Sequence, residues 1–441
     1  MNQNWETRII HLGLGRFHRG HQAVYFQHLS EMGDSRWGVV SFSMRSSDVR
    51  DQMIAVNLKY PVIELSAHKE EVKWVESIRE VHAANSEINE LIKAFENPQI
   101  EIVTITVTER GYSLDSQGKF NINSSEIQSD LKHPKQPQSA IGILALGLQA
   151  RSQKNLPGLS VISCDNLKEN GHKVQDGVES YLSALGDRAT LNWLKTTVTF
   201  LNTMVDRIVP ALTQERTLEL ESKLDVKNSG LIATEEFSQW IIEDNFQQAR
   251  PPWDKVGVQF VEDVRPFEEI KLKLLNASHS YLSFEGQNRG YQFVHEAIND
   301  KDLSLRVQSL YGEVIPLLHA PSGYDLHQYT QRLIERFKNN KSPHQLKQIA
   351  VDGSIKLTQR IIPSLEVAIL KDLPRTNLIQ VIASWLNYCW KFRDELNDPM
   401  KNEITHNMTV PKEEWAASLL QTKMFSPISD HKIQLEIIRS I

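Results

Sequence analysis

The chain has only two cysteines, Cys164 and Cys389, among its 441 residues. Two thiols so far apart exclude a disulfide framework and fit a reducing compartment, so the cytoplasm is the expected location. Long apolar runs are missing as well. The most apolar stretch, AIGILALGL from Ala140 to Leu148, falls far short of the roughly 20 residues that span a bilayer. The first residues, MNQNWETR, carry no basic start followed by an apolar stretch, so no secretory leader is expected. Glycine and proline number only 20 and 17 beside 40% hydrophobic residues, which excludes a collagen-like or largely disordered chain. Neither sign of charge dominates: 49 basic against 55 acidic residues leave a net charge of -6, and nothing in that balance invites nucleic acid or an anionic membrane. The 15 histidines show no H-E-x-x-H or other ligand spacing, so no metal is expected.

What is present reads as alternating β and α. An apolar run from Arg8 to Leu14 ends in Gly13 and Gly15 and is followed by helical spacing from Phe17 to Met32. Further β-like runs are Trp37–Met44, the β-branched Glu101–Thr108 and Leu159–Cys164, with helical stretches such as Ser86–Phe95 and Gln138–Ala150 between them. That alternation predicts a Rossmann-like parallel sheet with right-handed crossovers. After Asp206 long helical segments take over: Thr234–Phe246, Pro266–Phe284, Asp325–Phe337, Pro343–Ala350 and Leu378–Leu396. Gly257–Val264 reads as one more strand returning to the sheet. The expected division is therefore 1–265, an α/β dinucleotide-binding domain, and 266–441, a mainly helical substrate domain.

Several constellations carry candidate chemistry. Gly13-Leu14-Gly15-Arg16-Phe17 lies between the first strand and helix, where a dinucleotide site needs one glycine for the tight turn and another for approach to a pyrophosphate. The third glycine of G-x-G-x-x-G is replaced by His18, so a plain turn also satisfies the pattern. The second strand ends without the acidic residue that grips the ribose of NAD; Arg45 can instead meet the 2′-phosphate of NADP, or belong to an exposed loop. Ser163-Cys164-Asp165-Asn166 and Thr108-Glu109 close two strands at the end where ligands bind in open α/β sheets, although such turns are also rich in Asn and Asp for local reasons.

At about 100° per residue, Lys271, His279 and Asn276 fall near 0°, ~80° and ~140° on one helix, leaving Lys273 elsewhere. If that face looks into a cleft, burial favours the neutral amine, which accepts a proton from an alcohol, and the amide can hydrogen-bond the developing alkoxide. A solvated face with a satisfied histidine is the other reading. Lys356 and Arg360, four residues apart, can jointly face a carboxylate or simply start an exposed helix.

Six co-linear segments resemble the mannitol dehydrogenase family, the long-chain polyol-specific dehydrogenases and reductases. They are GLGRFHRGHQAVY at Gly13–Tyr25, TVTERGY at Thr106–Tyr112, SCDNLKENG at Ser163–Gly171, NTMVDRIVP at Asn202–Pro210, QWIIEDNF at Gln239–Phe246 and KLKLLNASHS at Lys271–Ser280. The resemblance implies a nicotinamide cofactor, NAD with NADP not excluded, and no metal. It implies Lys271 as catalytic base, Asn166 and Asn276 as oxyanion donors, His279 beside them, Asp206 near substrate hydroxyls, and Glu109 and Glu268 in proton movement. Within the family, QIAVDGSIKLTQR from Gln348 to Arg360 resembles the fructuronate-reducing branch, which implies a ketohexuronate/aldonate couple with Lys356 and Arg360 toward the sugar-acid carboxylate.

The expectation is thus an oxidoreductase with its site in the cleft between two domains, acting as a monomer or small homo-oligomer on a small sugar acid. A polyol dehydrogenase of mannitol or arabinitol type is the alternative, and a catalytically silent NAD-binding regulator the reading from outside enzymes. The stretch Phe284–Arg289 is polar where the family runs apolar.

Overall fold

The computed structural model describes residues 5–66, 69–115, 118–341 and 343–441. The chain divides after Arg265 into two compact units.

In the first unit the strands are β1 (Thr7–Leu12), β2 (Gly38–Ser43), β3 (Tyr60–Leu65), β4 (Glu70–Val75), β5 (Ile78–Ala83), β6 (Ile102–Ile105), β7 (Leu159–Ser163), β8 (Val198–Leu201), β9 (Thr203–Asp206), β10 (Ile232–Glu235), β11 (Gln239–Glu243) and β12 (Gln259–Val261). Six of them form one sheet in the order β5-β2-β1-β6-β7-β8, every pair parallel. Parallel strands are covered on both faces, and their sequences carry apolar residues on both. Ile9, Val39, Ile102 and Ile162 pack on one side with Phe26, Trp240 and Trp253. Ile10, Val40, Val103 and Val161 pack on the other with Ile143, Leu144 and Leu148 of the helix Ala140–Gln153. The strand order reverses at β1, and the register sets Leu12 opposite both Phe42 and Ile105, and Ile105 opposite Ser163. The residues after β1, β6 and β7 therefore share one sheet edge, where open α/β sheets bind ligands.

Three sequence expectations need correction here. Phe17–Met32 is two helices, Arg16–Gly20 and Gln22–Glu31, broken at His21. The break lets Gly20 meet β10 closely, for a Cβ on Gly20 would lie 2.9 Å from the methyls of both Ile232 and Thr234. Thr234–Phe246 is not a helix: β10 pairs in parallel with β3, and β11 runs antiparallel to β9. Its short apolar run, Trp240-Ile-Ile242, suits either period, and long-range pairing with buried partners decided for strand. β12 pairs with β11 and joins a three-stranded sheet with β9, so it does not return to the six-stranded one.

The second unit is helical. Its spine is a continuous segment made of Arg265–Ile270, a π-helical turn Lys271–Asn276, and Ala277–Asn288. From Ala277 to Phe284 that segment is mostly small or apolar and is buried all round, with Ser278, Ser280, Leu282, Ser283 and Phe284 completely buried, as a central helix must be. It packs on Thr376–Lys391, which supplies Leu378, Val381, Ile382, Trp385 and Leu386 to the same core. The polar stretch after Phe284 closes the helix end: Glu285 pairs with Arg289, which also reaches Asp300 and Asp302, and Asn288 donates to the carbonyl of Ser384.

Candidate functional site

The glycine turn after β1 is built from the strand outward. Gly13 has φ +111°, and a Cβ there would sit 1.9 Å from the carbonyl oxygen of Thr106, so only glycine fits. The Gly13 and Leu14 amides both donate to the Phe42 carbonyl at 2.8 and 3.1 Å, and the Gly13 carbonyl accepts from Gly15 N–H at 2.6 Å and Thr106 Oγ1 at 2.9 Å. His11 Nε2 lies 2.9 Å from the same carbonyl, with Nδ1 2.7 Å from Thr104 Oγ1. A carbonyl only accepts, so Nε2 carries the proton; burial pushes this imidazole down to about 3 and keeps it neutral. His18, where the third glycine of the dinucleotide pattern would stand, stacks on His11 with centroids 3.4 Å apart, and burial holds it well below its ordinary value too. Sequence reasoning missed this buried pair, which becomes visible only once β1 and the short helix after it face each other.

Next to the turn lies a cleft of about 890 Å³, within the size range of small-molecule and cofactor sites. Of the candidate residues, Gly15, Arg16, Phe17, Thr108, Glu109 and Asn166 line it, as do Arg19, Arg110 and Asp165. Leu14 is buried in a core cluster, Arg45 is exposed beyond the end of β2, and Asp206 is buried at the end of β9; none of these belongs to the lining. Beside Asp206, Arg207 is bound at 2.5 Å to Glu64 and donates to the carbonyls of Gly20 and Glu235, tying the small sheet to the glycine helix. Cys164 is buried and its thiol is pushed well up by burial, so it is a packed residue and no nucleophile.

Thr108 holds φ +65° and ψ 162°, a region that is essentially glycine's and costs of order 1–3 kcal/mol. The Asp165 carboxylate accepts from the Val107 and Thr108 amides at 2.9 and 3.0 Å and from the Tyr112 hydroxyl at 2.8 Å.

In the second unit the π turn changes the expected geometry of Lys271 and Asn276. Ala277 N–H reaches back to the carbonyl of Leu272, an i→i+5 bond, so Lys271 and Asn276 stand one wide turn apart and not ~140° apart as on an α-helix. Carbonyls disturbed by the wide turn find side-chain donors: Ser278 Oγ bonds Leu274 and Leu275 at 2.7 and 3.0 Å, and Tyr311 supports Ser278. Lys271 is 8% exposed, whereas Lys273 pairs with Glu269 on another face. Glu268 is half-buried, three residues before Lys271.

Arg360, at the end of the helix Gly353–Arg360, donates to the Asn276 carbonyl at 3.2 Å and to Ser280 Oγ at 3.1 Å. His279 is buried against Phe337 and meets His344 edge-on at 5.5 Å. Burial, then coupling to the His344 imidazole and the positive charges of Arg336, Arg360 and Lys356, hold its imidazole well below the ordinary value. Lys356 donates to the Ile349 carbonyl at 2.8 Å. Gln348 is exposed on the short helix Leu346–Ala350. Arg336 and His344 were not singled out by sequence, because neither stands in a motif; tertiary packing brings them to His279. Among the described residues no group of three or more His, Cys, Asp and Glu side chains is placed to hold a metal ion. Among the same residues no helix is long and apolar enough to cross a membrane.

A parallel sheet with a glycine turn at its reversal point, followed by a helical unit bearing a buried lysine, an amide and a histidine on one segment, defines a Rossmann-type oxidoreductase. Residues 7–255 match the mannitol dehydrogenase Rossmann domain and residues 263–440 the mannitol dehydrogenase C-terminal domain, so the chain belongs to the mannitol dehydrogenase family. It is 40% identical over 412 residues to the D-mannonate oxidoreductase of Escherichia coli, covering 90% of this chain and 84% of that protein. Among solved structures, a D-sorbitol dehydrogenase in substrate-free form superposes with a TM-score of 0.88 at 29% identity, covering 99% of this chain and 92% of the other. The Pseudomonas fluorescens mannitol 2-dehydrogenase ternary complex with NAD and D-mannitol superposes with a TM-score of 0.85 at 31% identity, covering 99% and 91%.

Proposed function

We propose that this protein is an NAD-dependent oxidoreductase interconverting a ketohexuronate and an aldonate of the fructuronate/mannonate type. The residues present suit a nicotinamide dinucleotide: Gly13 makes the turn only glycine can make, Gly15 leaves the backbone open, and the adjoining cleft is large enough. Gly15, Arg16, Phe17, Thr108 and Glu109 would hold it, with Arg45 the residue to discriminate a 2′-phosphate. When bound, the dinucleotide supplies or accepts the hydride at a secondary alcohol carbon.

In the direction of reduction Lys271 donates the proton to the carbonyl oxygen, and in oxidation it takes the hydroxyl proton. Asn276 and Asn166 hold that oxygen as charge develops on it. His279 positions Lys271 or the substrate, Asp206 serves the substrate hydroxyls, and Glu109 and Glu268 pass the proton onward. Lys356 and Arg360 take the carboxylate, and Gln348 lies on the neighbouring helix.

The observation that carries the substrate class is the gathering of Arg336, Lys356 and Arg360 around the buried His279, a concentration of positive charge that suits a sugar acid better than a neutral polyol. The 40% identity to a D-mannonate oxidoreductase supports the same choice. A polyol dehydrogenase is the second reading, favoured by the likeness to mannitol and sorbitol dehydrogenases. Steady-state assays with NADH on fructuronate, tagaturonate, fructose and xylulose separate them. Preference for the ketouronates is expected. Preference for the neutral ketoses would overturn the sugar-acid reading, and tight NADH binding without turnover of any of them would make the chain a silent binder.

A further inference from the structure

Thr108 is the most improbable residue of the cleft by conformation. Threonine is β-branched, and at φ +65° and ψ 162° it occupies backbone space where side chains are rarely found. Such a residue persists only where its surroundings over-determine it, and here the determinants are specific. Asp165 Oδ2 accepts from Val107 N–H at 2.9 Å, Oδ1 accepts from Thr108 N–H at 3.0 Å, and the fully buried Tyr112 donates to Oδ2 at 2.8 Å. Tyr112 is fixed in turn by Ser163 Oγ at 2.5 Å, and the Thr108 carbonyl accepts from Gly111 N–H at 2.9 Å. The loop so held sets Thr108, Glu109 and Arg110 along the cleft that also includes Gly15, Arg16 and Asn166.

We propose that Asp165 is a positioning residue for the dinucleotide: its carboxylate clamps Thr108 in a strained conformation and thereby presents Thr108 and Glu109 to the cofactor. The inference rests on the reading of this cleft as the NAD site. The chemistry fits a carboxylate and nothing smaller. Two adjacent amides and a phenol need three acceptor positions on one rigid group, which an ionised carboxylate offers and an amide does not. Burial, with the charge of Glu109 beside it, raises the Asp165 carboxyl above its ordinary value, and the three donors pull against that rise.

The test measures the NADH dissociation constant by quenching of tryptophan fluorescence in the full-length protein and in Asp165→Asn, Asp165→Asn/Thr108→Gly, Thr108→Gly and Thr108→Pro variants, each checked for folding by circular dichroism. Asp165→Asn should weaken NADH binding at least tenfold. Adding Thr108→Gly should bring binding back to the level of Thr108→Gly alone, because glycine takes the conformation without a clamp. A merely structural role for Asp165 would not be rescued there. Thr108→Pro, which cannot take positive φ, should bind NADH at least tenfold more weakly than Thr108→Gly, which loses the side chain's own contact but keeps the loop conformation. If Asp165→Asn does not fold, this last pair decides the matter. Unchanged binding in Asp165→Asn, no rescue by glycine, or equal binding by the proline and glycine variants overturns the clamp. Absence of NADH binding in the wild-type protein would overturn the cofactor reading along with it.

Discussion

The Arg360 guanidinium donates to the backbone carbonyl of Asn276 at 3.2 Å, tying a cation proposed to meet the substrate to the residue proposed to hold its reacting oxygen. A charge-assisted bond of this kind contributes about 1.5–3 kcal/mol. Arg360→Ala is therefore expected to lower kcat/KM for a ketouronate by roughly 10- to 100-fold, with KM rising and kcat falling together. The effect on a neutral ketose should be smaller. Steady-state kinetics on both substrate types check this, and an equal loss on both would remove Arg360 from carboxylate recognition.

Lys271 is buried on the π turn, one i→i+5 step from Asn276. General acid–base catalysis accounts for about 10²- to 10⁴-fold in rate. Lys271→Ala should lose turnover by at least that much while NADH still binds, since the glycine turn lies in the other unit. Turnover close to wild type would reject the assignment.

The two glycines of the turn should fail differently. A Cβ at Gly13 meets the Thr106 carbonyl oxygen at 1.9 Å under a positive φ, whereas at Gly15 the nearest atom is 3.7 Å away. Gly13→Ala is expected to lower Tm markedly, by a backbone clash that no rotamer relieves. Gly15→Ala should leave Tm nearly unchanged and weaken NADH binding alone. Thermal melts with and without NADH distinguish the two.

Buried neutral histidines make the protein acid-sensitive. His11 is pushed down to about 3, and His18 and His279 lie well below their ordinary values, all by burial first. The unfolded chain protonates these rings near 6.5 and the folded one does not, so their contribution is complete above about pH 6.5. It declines as pH falls from there toward 3, by up to about 1.4 kcal/mol per pH unit for each ring that stays neutral when folded. Tm measured from pH 7 to pH 4.5 should fall steadily, and His11→Asn should flatten the slope. A level profile would show that these rings take up protons in the folded state.

Much of this was legible in order of residues. The run before Gly13, the continuous β-branched segment at Glu101–Thr108 and the Leu159–Cys164 run are strands because each carries apolar residues for two faces. Lys271, Asn276 and His279 could be named from a motif. The arrangement of the last three could not: a 100° step separates Lys271 from Asn276 by about 140°, and the π turn closes that separation to one wide turn. Thr234–Phe246 misled for a related reason, since its short Trp-Ile-Ile run has no period of its own and took the form its neighbour Thr203–Asp206 required.

The order of amino acids alone determined that the first half would be a parallel α/β sheet with a glycine turn and the second half helical, because periodicity and turn residues act over a few positions. Tertiary structure decided what depends on groups distant in the chain. It set Asp165 beneath Thr108, stacked His11 on His18, and drew Arg336, His344, Lys356 and Arg360 to His279. Those contacts join residues from 7 to 80 or more positions apart, and only packing and desolvation, which local spacing does not encode, select them.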